Sequence, residues 1–138
     1  MNWTARFSPY NSGSSSCISY SLSSVAWSGT QFVAVGEYDG TILTSQDDGM
    51  TWCTQSGPPP TLYGIVWAGT RFVAVGEGAG TNGTNIGTIY TSPDGTKSDG
   101  STWTARRTSG PSQPLNAVAW SGTQLVTVGG NGTILTSP

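Results

Sequence analysis

Carboxylates are the side chains of this chain with the clearest capacity for chemistry. The 138 residues include no histidine, which excludes a Ser-His-Asp triad. Glu37 and Glu77 each follow the sequence VAVG, and Asp47 lies in the run SQDDGMTW. Two carboxylates could cleave a glycosidic bond only if they lie within ~10 Å of each other. The elements that hold these residues therefore decide whether they could act together.

Those elements come from a segment that occurs three times. It reads LSSVAWSGTQFVAVG at 22–36, LYGIVWAGTRFVAVG at 62–76 and LNAVAWSGTQLVTVG at 115–129. A glycine turn and a further apolar stretch follow each copy: GTILTS at 40–45, GTIYTS at 87–92 and GTILTS at 132–137. The first two copies of the repeat tryptophan are 40 residues apart (67 minus 27). A unit of about 40 residues with four short strands is typical of a β-propeller blade.

The pattern within each unit predicts an all-β fold of four-stranded antiparallel blades. The first strand ends at a Ser-Gly or Ala-Gly turn, and the second is a continuous apolar run such as FVAV, which indicates a strand covered on both faces. The third is TILTS or TIYTS, and the fourth is TWCTQ, TWTAR or, near the N-terminus, NWTAR. We therefore expect Val25, Phe32, Val33, Val35, Ile42 and their repeat equivalents to be buried between blades.

The turn before the fourth strand carries the most specific motif. SQDDGMTW at 45–52 fits the pattern Ser-x-Asp-x-Gly-x-Thr-Trp and closely resembles the Asp-box of bacterial neuraminidase repeats. The wider repeat resembles the sialidase-like and photosystem-assembly-factor-like propellers, over essentially the whole chain. Residues assigned to Asp-boxes are Ser45, Asp47, Gly49, Thr51 and Trp52; Ser92, Asp94, Asp99, Gly100, Thr102 and Trp103; and Trp3.

The resemblance implies that these boxes are structural and lie away from any active site. An Asp can accept hydrogen bonds from backbone N–H groups of its own turn, and Gly49 can adopt the positive φ that a tight turn needs. We expect the box tryptophans Trp3, Trp52 and Trp103 to be largely buried. The second box has four extra residues before Asp99, so its turn must be longer. The second repeat has a further insertion at Gly78 to Asn85, which we interpret as a variable loop.

Three propeller repeats account for the domain organisation. They span 22–56, 62–108 and 115–138, and the strand at 2–8 completes the last blade, which lacks its own fourth strand. Closed propellers have 4–8 blades, so three blades per chain predict a ring of six formed by two chains. The expected partner is thus a second copy, joined head to tail.

Composition restricts the other partners. Five basic and seven acidic residues give a net charge of −2, which argues against nucleic acid. No apolar run approaches the ~20 residues of a membrane span, and the N-terminal residues do not resemble a signal peptide; localisation stays unassigned. We expect no metal, since Cys17 and Cys53 have no histidine to join them, and no cofactor. We interpret these two cysteines as free thiols rather than as a disulfide.

Two classes of function remain open. One is a non-enzymatic binding module for a glycan or a protein, and the other is a structural, assembly or engineered propeller fragment with no small ligand. A degenerate sialidase-like hydrolase is the weaker alternative, since it would need clustered arginines, whereas Arg6 and Arg106 share one repeat position. No catalytic residue is assigned. The candidate ligand-binding residues are Trp27, Trp67, Trp120, Glu37 and Glu77, although a repeated tryptophan more often packs between blades.

Overall fold

The computed structural model describes residues 1–6, 21–37, 41–55, 61–80, 84–95, 103–106 and 113–137. These ranges are all-β, apart from one short 3-10 turn at Gly130–Gly132. They form three antiparallel sheets, one for each sequence repeat. The predicted all-β class is confirmed. Within the described ranges there is no helix with the length and apolar character needed to cross a membrane.

Each sheet is a meander in which strands adjacent in sequence are adjacent in space. Sheet 1 is β1 (Leu22–Trp27), β2 (Phe32–Gly36), β3 (Ile42–Ser45) and β4 (Cys53–Gln55). Sheet 2 is β5 (Thr61–Trp67), β6 (Phe72–Ala79), β7 (Asn85–Ser92) and β8 (Thr104–Arg106). Sheet 3 contains β9 (Leu115–Trp120), β10 (Leu125–Gly129) and β11 (Ile134–Ser137). The described part of sheet 3 therefore has three strands, and β11 is an edge strand.

The first hairpin of every sheet contains a β-bulge at the same place. In sheet 1, Leu22 is opposite Gly36 but Ser24 is opposite Val35, so the intervening residue is unpaired. Sheet 2 has the same shift between Leu62 and Gly64, and sheet 3 has it next to Gly129. A Cβ at Gly36, Gly76 or Gly129 would collide with the backbone carbonyl of Ser21, Thr61 or Pro114 respectively. The glycine that ends VAVG or VTVG is thus required by a close backbone approach.

Alternation of side chains gives each sheet two faces with different partners. The face that carries Val33, Val35 and Ile42 in sheet 1 is called the forward face, and the face that carries Val25, Phe32 and Ala34 is called the rear face; the names extend to equivalent residues of the other sheets. One apolar cluster joins the forward face of sheet 1 to the rear face and start of sheet 2. Its buried members are Val33, Val35, Ile42, Leu62, Ile65, Phe72 and Ala74.

Sheets 2 and 3 repeat this packing through their first strands. A Cβ at Gly64, on the forward face of sheet 2, would lie only 3.2 Å from the Cα of Ala117. On the other side of sheet 2, the backbone N–H of Ile65 donates to Ser24 Oγ at 3.3 Å. Small residues at this position allow the first strands of neighbouring sheets to approach closely. Strands β1, β5 and β9 consequently pack side by side, with β5 in the middle.

Burial follows the prediction in the interior and departs from it at the two outer sheets. Val33, Val35 and Ile42 are fully buried, as predicted. Val25 is 56% exposed, so its predicted burial is wrong for the single chain. The physical reason is position: among the described residues, no sheet precedes sheet 1 to cover its rear face at β1. Phe32 is only half-buried.

One of the box tryptophans also departs from expectation. Trp3 is 91% exposed, contrary to its predicted burial, and Trp52 and Trp103 are half-buried. Residues 1–6 form no strand in the described chain, and the remainder of the predicted strand at 2–8 lies outside the described residues. The described residues of this predicted strand are therefore not paired with the last sheet.

The sequence predicts a loop at the insertion of the second repeat, Gly78 to Asn85, and this prediction is wrong in part. Three added pairs, Glu77↔Gly87, Gly78↔Ile86 and Ala79↔Asn85, extend β6 and β7 into a longer hairpin. Since both segments are extended and opposite each other, their backbone groups join the ladder. Residues 81–83 lie outside the described ranges.

Candidate functional site

The turn at 45–52 is held by the carboxylate of Asp47. Its Oδ1 accepts from Ser45 Oγ and from the backbone N–H of Thr51, both at 2.8 Å, and its Oδ2 accepts from Thr51 Oγ1 at 2.6 Å. The indole N–H of Trp52 donates to the carbonyl of Gly49 at 3.1 Å. Gly49 has a φ of +79°. The predicted roles of Asp47 and Gly49 within their own turn are confirmed.

These bonds make Asp47 a structural anion. The bonds from the Thr51 hydroxyl and backbone, and from Ser45, lower the pKa of Asp47 from 3.8 to about 2. Each bond favours the charged form of the carboxyl group. A general acid needs a raised pKa, so this environment suits an anchor for the turn and does not suit an acid catalyst.

The corresponding turn of the second repeat connects two sheets. Ser92 is fully buried; its Oγ donates to Asp94 Oδ1 at 3.3 Å and accepts from the backbone N–H of Gly95 at 2.9 Å. The side-chain amide of Gln31, in sheet 1, donates to the backbone carbonyl of Asp94. This turn therefore rests on the neighbouring sheet. The assigned box residues Asp99, Gly100 and Thr102 lie outside the described residues.

The repeat tryptophans lie at one end of the first hairpins, next to the turn between their strands. Trp27 pairs with Phe32 across the strands, with ring centroids 4.4 Å apart, and Phe32 is 6.3 Å from Trp52. Trp67 has the same relation to Phe72 at 4.7 Å and packs on the core between sheets 1 and 2. Trp27 is 41% exposed, whereas Trp67 and Trp120 are half-buried.

The repeat glutamates lie at the opposite end of the same hairpins. Glu37 directly follows β2 and Glu77 lies within β6 opposite Thr61. At about 3.3 Å per residue, the six residues of β1 separate the two ends by about 16 Å. The five candidate ligand-binding residues therefore fall into a tryptophan group and a glutamate group.

A polar cluster surrounds Glu77. Its carboxylate accepts from the side-chain amide of Asn85 at 3.1 Å, and it interacts electrostatically with the phenol of Tyr63. Burial, the hydrogen bond to Glu77, and the charges of Glu77 and then Glu37 raise the pKa of Tyr63 to about 12. The phenol thus stays protonated at neutral pH, where it can donate a hydrogen bond.

The bulge explains why Tyr63 is in this cluster. Tyr63 is the unpaired residue of the β5 bulge, and bulges re-aim a side chain. Sequence reasoning missed both Tyr63 and Asn85. Tyr63 takes the place of Ser23 and Asn116 in the other copies, so departure from the repeat was the available signal. Asn85 stood in the segment interpreted as a loop.

The arginines that the structure describes lie away from this cluster. Arg71 directly precedes β6, at the tryptophan end of the hairpin. Arg106 is on the outer strand β8, where its Nε donates to Thr91 Oγ1 at 3.1 Å. Arg6 is in the exposed N-terminal residues, and Arg107 lies outside the described ranges.

Metal-ligating side chains are not clustered in the described part of the chain. Within the described ranges no group of three or more His, Cys, Asp or Glu side chains could hold a metal ion. Cys53 is a free, exposed thiol, and the candidate pairing with Cys17 lies outside the described residues.

Comparison with known proteins finds resemblances among solved structures but none among families or curated proteins. No protein-family model matches the chain, and no curated protein matches it. The crystal structure of the computationally designed Ika4 protein is similar over 99% of this chain and 98% of that one, at 13% sequence identity and a TM-score of 0.45.

Proposed function

We propose that the three sheets are successive blades of an Asp-box β-propeller that serves as a non-enzymatic binding scaffold. The proposal is supported by two junctions between sheets that have the same orientation. The forward face of sheet 1 packs on the rear face of sheet 2, and Gly64, on the forward face of sheet 2, brings that sheet close to β9 of sheet 3. Blades of a propeller repeat in this way around a ring. Two chains would supply a ring of six sheets.

The box residues support a scaffold. All three hydrogen bonds of the Asp47 carboxylate are made inside its own turn, and the turn at Ser92 and Asp94 rests on Gln31 of the neighbouring sheet. Side chains committed to turn geometry and sheet-to-sheet contact are suited to hold blades together.

The observation that carries a binding role is the contact of Asn85 with Glu77 at 3.1 Å, beside Tyr63, whose phenol interacts with the Glu77 carboxylate and, more weakly, with the charge of Glu37. Binding sites place a few polar groups on a rigid framework to orient a ligand, and perturbed pKa values cluster at such sites. Carboxylate oxygens accept from hydroxyl groups, an amide does both, and the tyrosine ring adds an apolar surface. This set suits the hydroxyl-rich face of a glycan, which we propose as the ligand class.

A glycan array with the purified protein tests the binding role. We expect a strong signal for one sugar class, reduced at least tenfold by Tyr63→Phe and by Glu77→Gln. Tyr90→Phe is the matched control, because it removes a phenolic hydroxyl at the core between sheets 1 and 2, and it should leave the signal unchanged. Absence of any glycan signal would favour the alternative of a structural or assembly propeller with no small ligand.

The interaction of Tyr63 with Glu77 favours one further candidate, a degenerate sialidase-like hydrolase, because a tyrosine and glutamate pair could form a nucleophile. The raised pKa of Tyr63 works against it, since the phenolate is harder to form. We expect no turnover of a fluorogenic sialoside, and hydrolysis that Tyr63→Phe abolishes would establish the enzyme instead.

A further inference from the structure

Repeat-equivalent residues differ in exposure according to which sheet carries them. Ile65, in the middle sheet, is 6% exposed, whereas its equivalent Val25 in sheet 1 is 56% exposed. Equivalent residues on the forward face also differ in exposure, and there the exposed copy is in sheet 3. Val35 and Val75 are buried at 0%, but their equivalent Val128 is 42% exposed. Each of these exposed residues has an equivalent in another sheet that is buried against a neighbouring sheet.

The uncovered surfaces at the two ends are complementary. Sheet 3 exposes its forward face at Val128 and Ile134, the latter 67% exposed, whereas the equivalent Ile42 is buried against sheet 2. Sheet 1 exposes its rear face along β1, at Val25 and Trp27; Ala34 and Leu43, farther out on that face, are buried. Among the described residues, the forward face of sheet 3 has no rear face packed on it, and the rear face of sheet 1 has no forward face packed on it along β1. These two surfaces fit the kind of junction that sheets 1 and 2 form.

The described residues also include an open sheet edge and a segment with the sequence of the strand that would cover it. The described part of sheet 3 ends at β11, without the equivalent of β8. Residues 3–6, WTAR, repeat the sequence of Trp103 to Arg106, and they are exposed and outside any strand. In sheet 2, Thr91 is opposite Thr104 and Ile89 is opposite Arg106. The same register would place Thr4 opposite Thr136 and Arg6 opposite Ile134.

The junction between sheets 1 and 2 also includes a polar contact. Gln31 is 7% exposed where its amide reaches the carbonyl of Asp94 in the next sheet. Its equivalent in sheet 3, Gln124, is exposed. Asp47, the equivalent of Asp94, lies in the turn of sheet 1. A sheet 1 placed against sheet 3 would bring the Asp47 carbonyl to Gln124.

We propose that these surfaces bind a second copy of this chain. The forward face of sheet 3 packs on the rear face of sheet 1 of the second copy, and residues 3–6 of each chain add a strand to β11 of the other. The contact is head to tail and closes when the rotation per chain divides a full turn; two chains give six sheets. The inference rests on the proposed propeller arrangement and is independent of any glycan.

Light scattering coupled to size exclusion tests the inference on the whole chain. We expect the mass of two chains for the wild type and of one chain for Ile134→Asp, which places a charge in the contact. Ile86→Asp is the matched control, because Ile86 is also exposed, at 38%, but lies in the extended hairpin of sheet 2. It should keep the mass of two chains. A one-chain or three-chain wild type would overturn the inference.

A mixing experiment distinguishes head-to-tail contact from other dimers and from misfolding. Val25→Asp damages the rear face of sheet 1 and Ile134→Asp the forward face of sheet 3, so each variant alone should have the mass of one chain. Mixed together, they form one undamaged junction and should recover the mass of two chains, which unfolded variants could not do. Failure of the mixture to associate would overturn the head-to-tail arrangement. A negative glycan array would leave all these masses unchanged.

Discussion

At the scale of single residues, the Asp47 carboxylate gives a prediction about pH. Its pKa is about 2 in the folded chain and 3.8 in the absence of its partners, so its stabilising contribution is complete above pH 4 and is lost as the pH falls towards 2. We expect Asp47→Asn to lower the urea midpoint at pH 6 and the difference from wild type to shrink between pH 4 and pH 2.

The neighbouring Asp48→Asn is the control for that series. It removes one negative charge from the same turn and leaves the bonds of Asp47 to Ser45 and Thr51 in place. Its midpoint should stay close to that of the wild type. A deficit of Asp47→Asn that is equally large at pH 2 and pH 6 would contradict the charged hydrogen bonds as its cause.

Substitutions of Gly49 measure the contribution of the backbone conformation to the stability of the same turn. Its φ is +79°, and a Cβ would meet nothing closer than 3.8 Å, on the ring of Trp52. Space is therefore adequate, and the cost of a side chain comes from the left-handed backbone, about 1–2 kcal/mol. We expect Gly49→Ala to lower the free energy of unfolding by that amount and Gly49→Asn to lower it less. Equal effects of alanine and asparagine would contradict this reason.

At the scale of elements, the two repeat phenylalanines form a matched pair in unequal surroundings. Phe72 is fully buried between sheets 1 and 2, whereas Phe32, at the same position of sheet 1, is half-buried. We expect Phe72→Ala to lower the free energy of unfolding by about 3–5 kcal/mol and Phe32→Ala to lower it by clearly less. Measured by urea unfolding at a concentration where the chain is monomeric, equal losses would contradict the described packing.

The extended hairpin is the element that builds the candidate site. The three added pairs that lengthen β6 and β7 place Asn85 within 3.1 Å of Glu77, and the bulge of β5 turns Tyr63 towards the same carboxylate. Sheet 1 has neither extension nor tyrosine at these positions. The binding role proposed for the second repeat thus follows from its departures from the common pattern.

At the scale of the whole molecule, the proposed ring predicts a specific covalent link. Facing residues of an antiparallel pair have Cα atoms about 4.5–5.5 Å apart, which suits a disulfide. In a chain with Cys17→Ser and Cys53→Ser, the pair Thr4→Cys and Thr136→Cys should oxidise to a two-chain product on non-reducing electrophoresis. The pair Thr4→Cys and Thr123→Cys is the control, because Thr123 is in an exposed turn. Equal cross-linking by both pairs would contradict the proposed register.

The repeated pattern by itself determined the strands, the sheet order and the structural role of Asp47, because these depend on contacts between residues close in sequence. Apolar runs, a positive-φ glycine and a self-contained turn are local properties, so the prediction of meandering four-stranded units needed no tertiary information. The same reasoning could not separate equivalent positions, since identical patterns predict identical burial.

Only the tertiary structure decided which copy of each residue is covered. Val25 and Ile65 occupy the same place in their strands, yet one faces solvent and the other faces a neighbouring sheet. The charge of Glu37, in sheet 1, likewise acts on Tyr63, in sheet 2, through the packing of the two sheets and not through spacing along the chain. Burial and long-range electrostatics depend on what lies across the sheet, and in a chain of similar repeats that depends on whether a neighbouring sheet is present.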